Sequence, residues 1–279
     1  MSSAKIVRPT IVEGIFYPEN RDALESMIKS SLLSTNVVKI KRPFGIIAPF
    51  ASYIYSSSVF AASYSQLLNE FYDTVIIISP VHKIAFPHIA LTESDAFNTP
   101  LGDLEVDKED NEFLLKYNKE YIIIDEKHHL NEHSIEVQLP YIQTLLGEKV
   151  KILPIIIGEQ NTKFTILLSK AISSLMEKKR EKKYLIIVPT NLSHDLKYEK
   201  AIEKDRKFAE VLKKADADLL AEKLALNEIE AYGGGCAVTM LRIANIFNIK
   251  EVHVLKLLNS GDVTDEKFKV EGYIAASIC

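Results

Sequence analysis

Short apolar segments alternate with longer helical patterns along this chain, and that alternation restricts its fold more than any other feature. In Val75 to Ile78 and in Ile155 to Ile157, consecutive residues are apolar rather than every second one. A strand has this composition when helices cover both faces of its sheet, because neither set of alternating side chains then meets water. The pattern predicts a single three-layer α/β domain over residues 1–279, with a largely parallel or mixed central sheet and helices on both faces.

The predicted elements follow from β-branched runs for strands and from apolar residues at helical spacing for helices. The strands are predicted at residues 44–48, 75–79, 89–92, 121–124, 150–157, 184–188, 252–258 and 272–277. The helices are predicted at residues 21–33, 57–70, 108–117, 134–146, 163–177, 197–223 and 236–247.

Charge and cysteine content exclude several classes of protein. The net charge is -4, so the chain has no general electrostatic reason to bind nucleic acid. Two cysteines cannot build a disulfide framework, and the apolar runs are far shorter than the roughly 20 residues of a membrane span. No signal-peptide pattern is present at the N-terminus, so we expect a cytoplasmic protein without a membrane partner. Abundant Lys, Glu and Ile are typical of a thermophile.

The common nucleotide, zinc and hydrolase motifs are missing from the sequence. The triplet Gly233 to Gly235 has neither the G-x-G-x-x-G spacing nor the lysine of a phosphate-binding loop, and a tight turn before a helix is its simpler interpretation. There is no C-x-x-C, no H-E-x-x-H and no G-x-S-x-G. Structural zinc and a nucleophile-elbow hydrolase are therefore not expected.

Polar turns with histidines follow several predicted strands. Such turns occupy residues 49–53, 79–82, 131–134 and 190–195. Ligands of open α/β sheets bind beyond the carboxyl ends of the strands, so these turns should converge on one cleft. Each histidine alone could instead be a structural residue, and Ser193 to Asp195 could merely cap a helix. The side chains expected around the cleft are Phe50, His82, His133, Asn191, His194 and Cys236.

Eight motifs in a fixed order resemble those of a known family. They are R-P at 8–9, G-I-F-Y-P at 14–18, A-P-F-A-S-Y-I-Y-S at 48–56, S-P-V-H at 79–82, N-T-P-L-G at 98–102, E-H-S-I-E-V-Q-L-P at 132–140, T-N-L-S-H at 190–194, and N-S-G-D at 259–262 with V-E-G-Y at 270–273. The chain resembles the Memo family, also called AmmeMemoRadiSam system protein B, nearly from end to end.

The resemblance implies a fold like that of the class III extradiol dioxygenases, with a pocket at the strand ends. In the family, that pocket holds iron, copper or zinc through two histidines and a late cysteine, which are suitable ligands for these metals. This chain has Phe50, His82 and Gly233 at the three ligand positions, and Asn191 replaces an aspartate of the family. Because only His82 keeps a donor atom, we expect a dismantled metal site and no metal cofactor. Radical-SAM and AMMECR-like proteins are the partners that the resemblance implies.

Three functions remain open from the sequence. The first is a non-catalytic protein that binds a ligand or partner at the degenerate pocket. The second is a rewired enzyme in which His194 is the general acid or base, with Glu132 and His133 orienting the substrate. The third is a metalloprotein with the displaced ligands His82, His194 and Cys236. We expect His194 to matter more for ligand chemistry than either His88, within a strand pattern, or His128, in a polar turn.

Overall fold

The computed structural model, which describes residues 4–147 and 149–279, contains a sheet of eight strands and a sheet of three. The strands are β1 (Val7–Arg8), β2 (Gly45–Ala48), β3 (Thr74–Pro80), β4 (Ile89–Leu91), β5 (Ala96–Thr99), β6 (Gly102–Glu105), β7 (Ile122–Ile124), β8 (Lys151–Ile157), β9 (Tyr184–Pro189), β10 (Val252–Asn259) and β11 (Gly272–Ile278). The helices are α1 (Arg21–Leu33), α2 (Tyr53–Tyr64), α3 (Lys108–Tyr117), α4 (Glu126–Asn131), α5 (Leu139–Leu146), α6 (Thr162–Lys178), α7 (Tyr198–Leu212), α8 (Ala217–Ala225) and α9 (Gly234–Ile246).

The large sheet has the order β10-β11-β2-β9-β3-β8-β4-β7, and its eight strands are the eight that the sequence predicts. Strands β2, β9, β3 and β8 run parallel to one another in the centre. The pair β4–β7 is itself parallel but runs antiparallel to β8, and β11 and β10 form an antiparallel ribbon at the opposite edge. The sheet is therefore mixed, with a parallel centre.

Helices cover both faces of this sheet. Val75 and Ile77 of β3 pack with α1, α2 and α5 on one face. Ile76 and Ile78 of the same strand pack with α3, α6, α7, α8 and α9 on the other face. All four side chains are fully buried, which explains why the strand is apolar on consecutive residues. No helix in the described part of the chain combines the length and the apolar character needed to cross a membrane.

The single helix predicted over residues 197–223 is wrong, because two helices occupy that segment. Ala215 lies between α7 and α8 with a φ of 54°, a left-handed conformation that ends a right-handed helix. The side chain of Asp216 then accepts hydrogen bonds from the amides of Asp218 and Leu219, at 3.0 and 2.9 Å, and so caps α8. Charged residues lie on both sides of the break, so the sequence pattern does not change there and does not reveal the break.

Smaller differences occur at other elements. Helix α2 begins at Tyr53 rather than at residue 57, and a single 3-10 turn, Glu136–Gln138, precedes α5 where one helix from residue 134 is predicted. Helix α4 and the small sheet are not predicted at all, since their elements are only two to six residues long. In that sheet β5 pairs in parallel with β1 and antiparallel with β6.

Candidate functional site

Four rings meet near the carboxyl ends of β2 and β3, and we call them the ring cluster: Phe50, His82, His133 and Tyr232. Phe50 lies two residues after β2, and His82 lies two residues after β3. The centroid of the Phe50 ring is 5.8 Å from that of His82, 5.8 Å from that of His133 and 5.6 Å from that of Tyr232. The His82 ring is 4.8 Å from His133 and 4.9 Å from Tyr232. Phe50 therefore lies in contact with all three of the other rings.

Asn191, in the turn after β9, joins two members of the ring cluster. Its Oδ1 accepts a hydrogen bond of 3.0 Å from the amide of Phe50, and its carbonyl oxygen accepts one of 2.8 Å from the amide of Tyr232. The hydroxyl of Tyr232 donates to the carbonyl oxygen of His82 at 2.7 Å. These bonds hold three chain segments in place around the rings.

A buried ion pair stabilises the loop that carries Glu132 and His133. Arg8 and Glu136 are in contact, and neither side chain has any exposed area. The guanidinium of Arg8 also donates to the carbonyl oxygen of Glu132 at 2.7 Å. Glu132 in turn accepts from the amides of His82, at 2.7 Å, and of Ser134, at 2.9 Å. The E-H-S-I-E segment is thus a support for the His82 turn.

Exposure and charge differ among the four rings. Phe50 is 2% exposed and Tyr232 is 37% exposed, while His82 lies at the surface. Burial lowers the pKa of His133, and proximity to His82 adds to that effect although Glu132 opposes it. A histidine whose pKa lies below its usual value is neutral at pH 7. The ring cluster therefore combines a largely buried, uncharged His133 with the exposed side chains of His82 and Tyr232.

Comparison with known proteins agrees with the motifs that underlie this site. A family model described as Memo-like protein matches residues 8–277. The chain belongs to the Memo family. It is 35% identical to a MEMO1 family protein of Sulfurisphaera tokodaii, over 97% of this chain and 98% of the relative. It is 31% identical to MEMO1 family proteins of Thermoplasma volcanium, over 98% and 99% of the two chains, and of Thermotoga neapolitana, over 97% and 99%.

The donor atoms of this Memo-family chain do not fit a metal at the ring cluster. The ring of Phe50 has no lone pair to donate. Gly233 has a φ of −94°, but a Cβ built there would lie 2.4 Å from the carbonyl oxygen of Pro189, so lack of space rather than backbone conformation excludes a cysteine. Within residues 4–147 and 149–279, there is one place where three ligand atoms from His, Cys, Asp or Glu side chains lie within 4.8 Å of one another. His82 is not part of that group.

The structure places Cys236 and His194 outside the ring cluster. Cys236 is fully buried in the first turn of α9, where its Sγ lies 3.8 Å from Oε1 of Gln160 and burial raises the pKa of its thiol well above the usual value. The side chain of His194 is 68% exposed, and its Nδ1 lies 3.2 Å from Oε1 of Glu271. It lines a separate cavity of about 380 Å³ with Tyr55. The two side chains do not form a displaced metal site with His82.

Two features of the structure are absent from the sequence predictions. One is Tyr232, whose position directly before the glycine triplet is the only available signal. The other is a cluster of His88, Asp125 and His128, the place where three ligand atoms converge. Its signal is the three-residue spacing of Asp125 and His128, which puts them one turn apart at the start of α4. His88 comes from the neighbouring strand segment, so no local pattern includes it.

Proposed function

We propose that this Memo-family chain is a non-catalytic ligand-binding protein in which the ring cluster recognises a ligand without a metal. The contact of the Phe50 ring with His82 and His133 carries this proposal. An apolar ring lies where the family resemblance implies a metal ligand, and Gly233 leaves a second ligand position without a donor. The ring cluster is then degenerate as a metal site but keeps its group of aromatic side chains.

The ring cluster has the properties of a surface that binds planar groups. His82 and Tyr232 are exposed, and their rings are tilted by 31° at a centroid distance of 4.9 Å. Aromatic rings in this arrangement offer further stacking and edge contacts to a ligand. His133 is neutral, so a planar aromatic or heterocyclic group that needs no counter-charge suits the site. The proposal also includes what the family resemblance implies. The fold is then like that of the extradiol dioxygenases, and the partners are radical-SAM or AMMECR-like proteins.

The rewired-enzyme alternative has less support. It needs His194 beside Glu132 and His133, but His194 contacts Glu271 and Asp195 and lines a cavity that includes neither Glu132 nor His133. A general acid or base must come within hydrogen-bonding reach of the substrate. His194→Ala is therefore expected to leave ligand binding at the ring cluster unchanged.

The test is a ligand-observed and protein-observed NMR screen of the full chain against a set of planar aromatic and heterocyclic fragments. We expect some fragments to shift the ring signals of His82 and His133 together. Tyr232→Ala should weaken their binding at least about tenfold, the size of effect of one lost hot-spot contact. Tyr117→Ala is the matched control, because Tyr117 is 41% exposed on α3, outside the ring cluster.

Two outcomes of this screen would overturn the proposal. If no fragment shifts the signals of His82 and His133, the ring cluster is not a site for planar ligands. If a fragment is chemically converted and His133→Ala abolishes the conversion, the rewired enzyme is the correct function.

A further inference from the structure

Outside the ring cluster, the side chains of His88, Asp125 and His128 converge at the edge of the large sheet. His88 directly precedes β4, Asp125 directly follows β7, and β4 and β7 are paired. Nε2 of His88 lies 2.8 Å from Oδ2 of Asp125, and Nδ1 of His128 lies 2.7 Å from the same oxygen. We call this group the His–Asp–His cluster. It shares no residue with the ring cluster or with the family motifs identified in the sequence.

We propose that the His–Asp–His cluster binds a divalent first-row transition-metal ion such as Zn²⁺. Two imidazoles and one carboxylate are a donor set that zinc and non-haem iron use in proteins, with water in the open positions. Mg²⁺ and Ca²⁺ prefer oxygen ligands, so the two nitrogen donors select against them. The inference does not depend on the function proposed for the ring cluster.

An unsatisfied nitrogen supports a ligand at this place. Nδ1 of His128 is buried and has no well-formed hydrogen bond among the described residues, although it lies 2.7 Å from Oδ2 of Asp125. A buried polar atom without a partner costs roughly 1–3 kcal/mol. A metal ion between the three side chains would accept the lone pair of this nitrogen and remove that cost.

The distances from Oδ2 of Asp125 to the two nitrogens, 2.8 and 2.7 Å, require only a small adjustment. All three ligand atoms lie within 4.8 Å of one another. Metal–ligand bonds of about 2.0–2.2 Å place neighbouring ligands of a tetrahedral ion roughly 3.3 Å apart. Oδ2 of Asp125 would move away from the two nitrogens by about half an ångström, which a carboxylate rotation provides.

Neighbouring groups hold both imidazoles in position. The ring of Phe86 packs on His88, at a centroid distance of 4.4 Å, and on His128, at 3.8 Å. The carbonyl oxygen of His88 accepts a hydrogen bond from the amide of Gly158 at 3.1 Å. A Cβ at Gly158 would lie 2.2 Å from the Phe86 ring, so only glycine allows this close packing. Such support around the ligands is typical of metal sites.

The His–Asp–His cluster is accessible to a metal ion. The side chains of His88 and Asp125 are each 18% exposed, and that of His128 is 23% exposed.

The test is a titration of the untagged, chelator-treated full chain with Co²⁺, followed by its visible absorption, and then with Zn²⁺ in competition. We expect one Co²⁺ per chain, displaced by Zn²⁺ but not by Mg²⁺. Asp125→Asn and His128→Gln should each weaken binding at least about tenfold, as loss of a ligand requires. His82→Gln tests the ring cluster and His253→Gln tests an exposed histidine beside Glu251, and both should bind Co²⁺ like the original chain.

A second measurement uses only the original chain, so it does not depend on whether the variants fold. In the original chain, Zn²⁺ should shift the ¹⁵N signals of Nε2 of His88 and Nδ1 of His128, and leave those of His82 and His133 in place. Absence of Co²⁺ and Zn²⁺ binding would overturn the inference. So would binding that survives Asp125→Asn but is lost in His82→Gln, because the metal would then lie at the ring cluster.

Discussion

Phe50 is the residue on which the metal chemistry of the ring cluster depends. Phe50→His would bring a third imidazole to within ring contact of His82 and His133, whose centroids already lie 4.8 Å apart. We expect this single change to create Co²⁺ binding in an Asp125→Asn background, where the other candidate metal site is disabled. Three histidines are a sufficient ligand set for a divalent ion with an open position. The measurement is the visible absorption of Co²⁺ bound per chain.

Phe71→His in the same background is the matched control, because Phe71 is 57% exposed and lies outside the ring cluster. It should bind no Co²⁺. Adding Gly233→Cys to Phe50→His should not improve binding, since the new Cβ would meet the carbonyl oxygen of Pro189 at 2.4 Å. If Phe50→His binds no Co²⁺ although it folds, then the ring cluster lacks more than this one donor.

At the scale of elements, the break between α7 and α8 rests on one capping side chain. Asp216 accepts from two backbone amides that no helical bond satisfies. Asp216→Ala should lower the free energy of unfolding by about 1 kcal/mol, as measured by urea denaturation. Lys214→Ala, two residues before it in the same connection, is the control and should change stability by less than about 0.5 kcal/mol. Equal effects of the two substitutions would contradict the capping role.

Two helices were predicted at their observed bounds because a cap and regular apolar spacing mark them locally. Helix α1 begins and ends at the predicted residues because Asn20 caps it, accepting from the amide of Ala23 at 3.0 Å, and because its apolar residues repeat at helical spacing. Helix α3 is likewise predicted at its observed bounds, with Asp107 as its cap. The two-residue strand β1 was not predictable, because its only stabilisation comes from pairing with β5, far along the chain.

At the scale of the molecule, the Arg8–Glu136 ion pair connects the small sheet to the segment that supports the His82 turn of the ring cluster. Arg8 belongs to β1, and Glu136 also accepts from the hydroxyl of Tyr17 at 2.7 Å. Glu136→Ala should lower the free energy of unfolding by about 3–5 kcal/mol, because it leaves a buried guanidinium without its partner. Thermal and urea denaturation measure this loss, and the ring signals of His133 should shift as its loop loses support.

Glu25→Ala is the matched control for this substitution, because Glu25 forms its ion pairs with Arg21 and Lys29 at the surface of α1. Exposed pairs of this kind contribute no more than about 1 kcal/mol. A loss of similar size for Glu136→Ala and Glu25→Ala would show that the buried pair does not anchor the fold.

The sequence by itself determined the layered α/β architecture and the family. Consecutive apolar residues mark strands with two covered faces, and ordered motifs mark the Memo family; both signals lie in short stretches of chain. It also determined which family donors are missing, since Phe50 and Gly233 have no ligand atom. Only the tertiary structure decided which side chains meet. Tyr232 joins the ring cluster through Asn191, His194 lies in another cavity, and His88 reaches Asp125 because β4 pairs with β7. Pairing between distant segments depends on packing of the whole chain, and no local pattern encodes it.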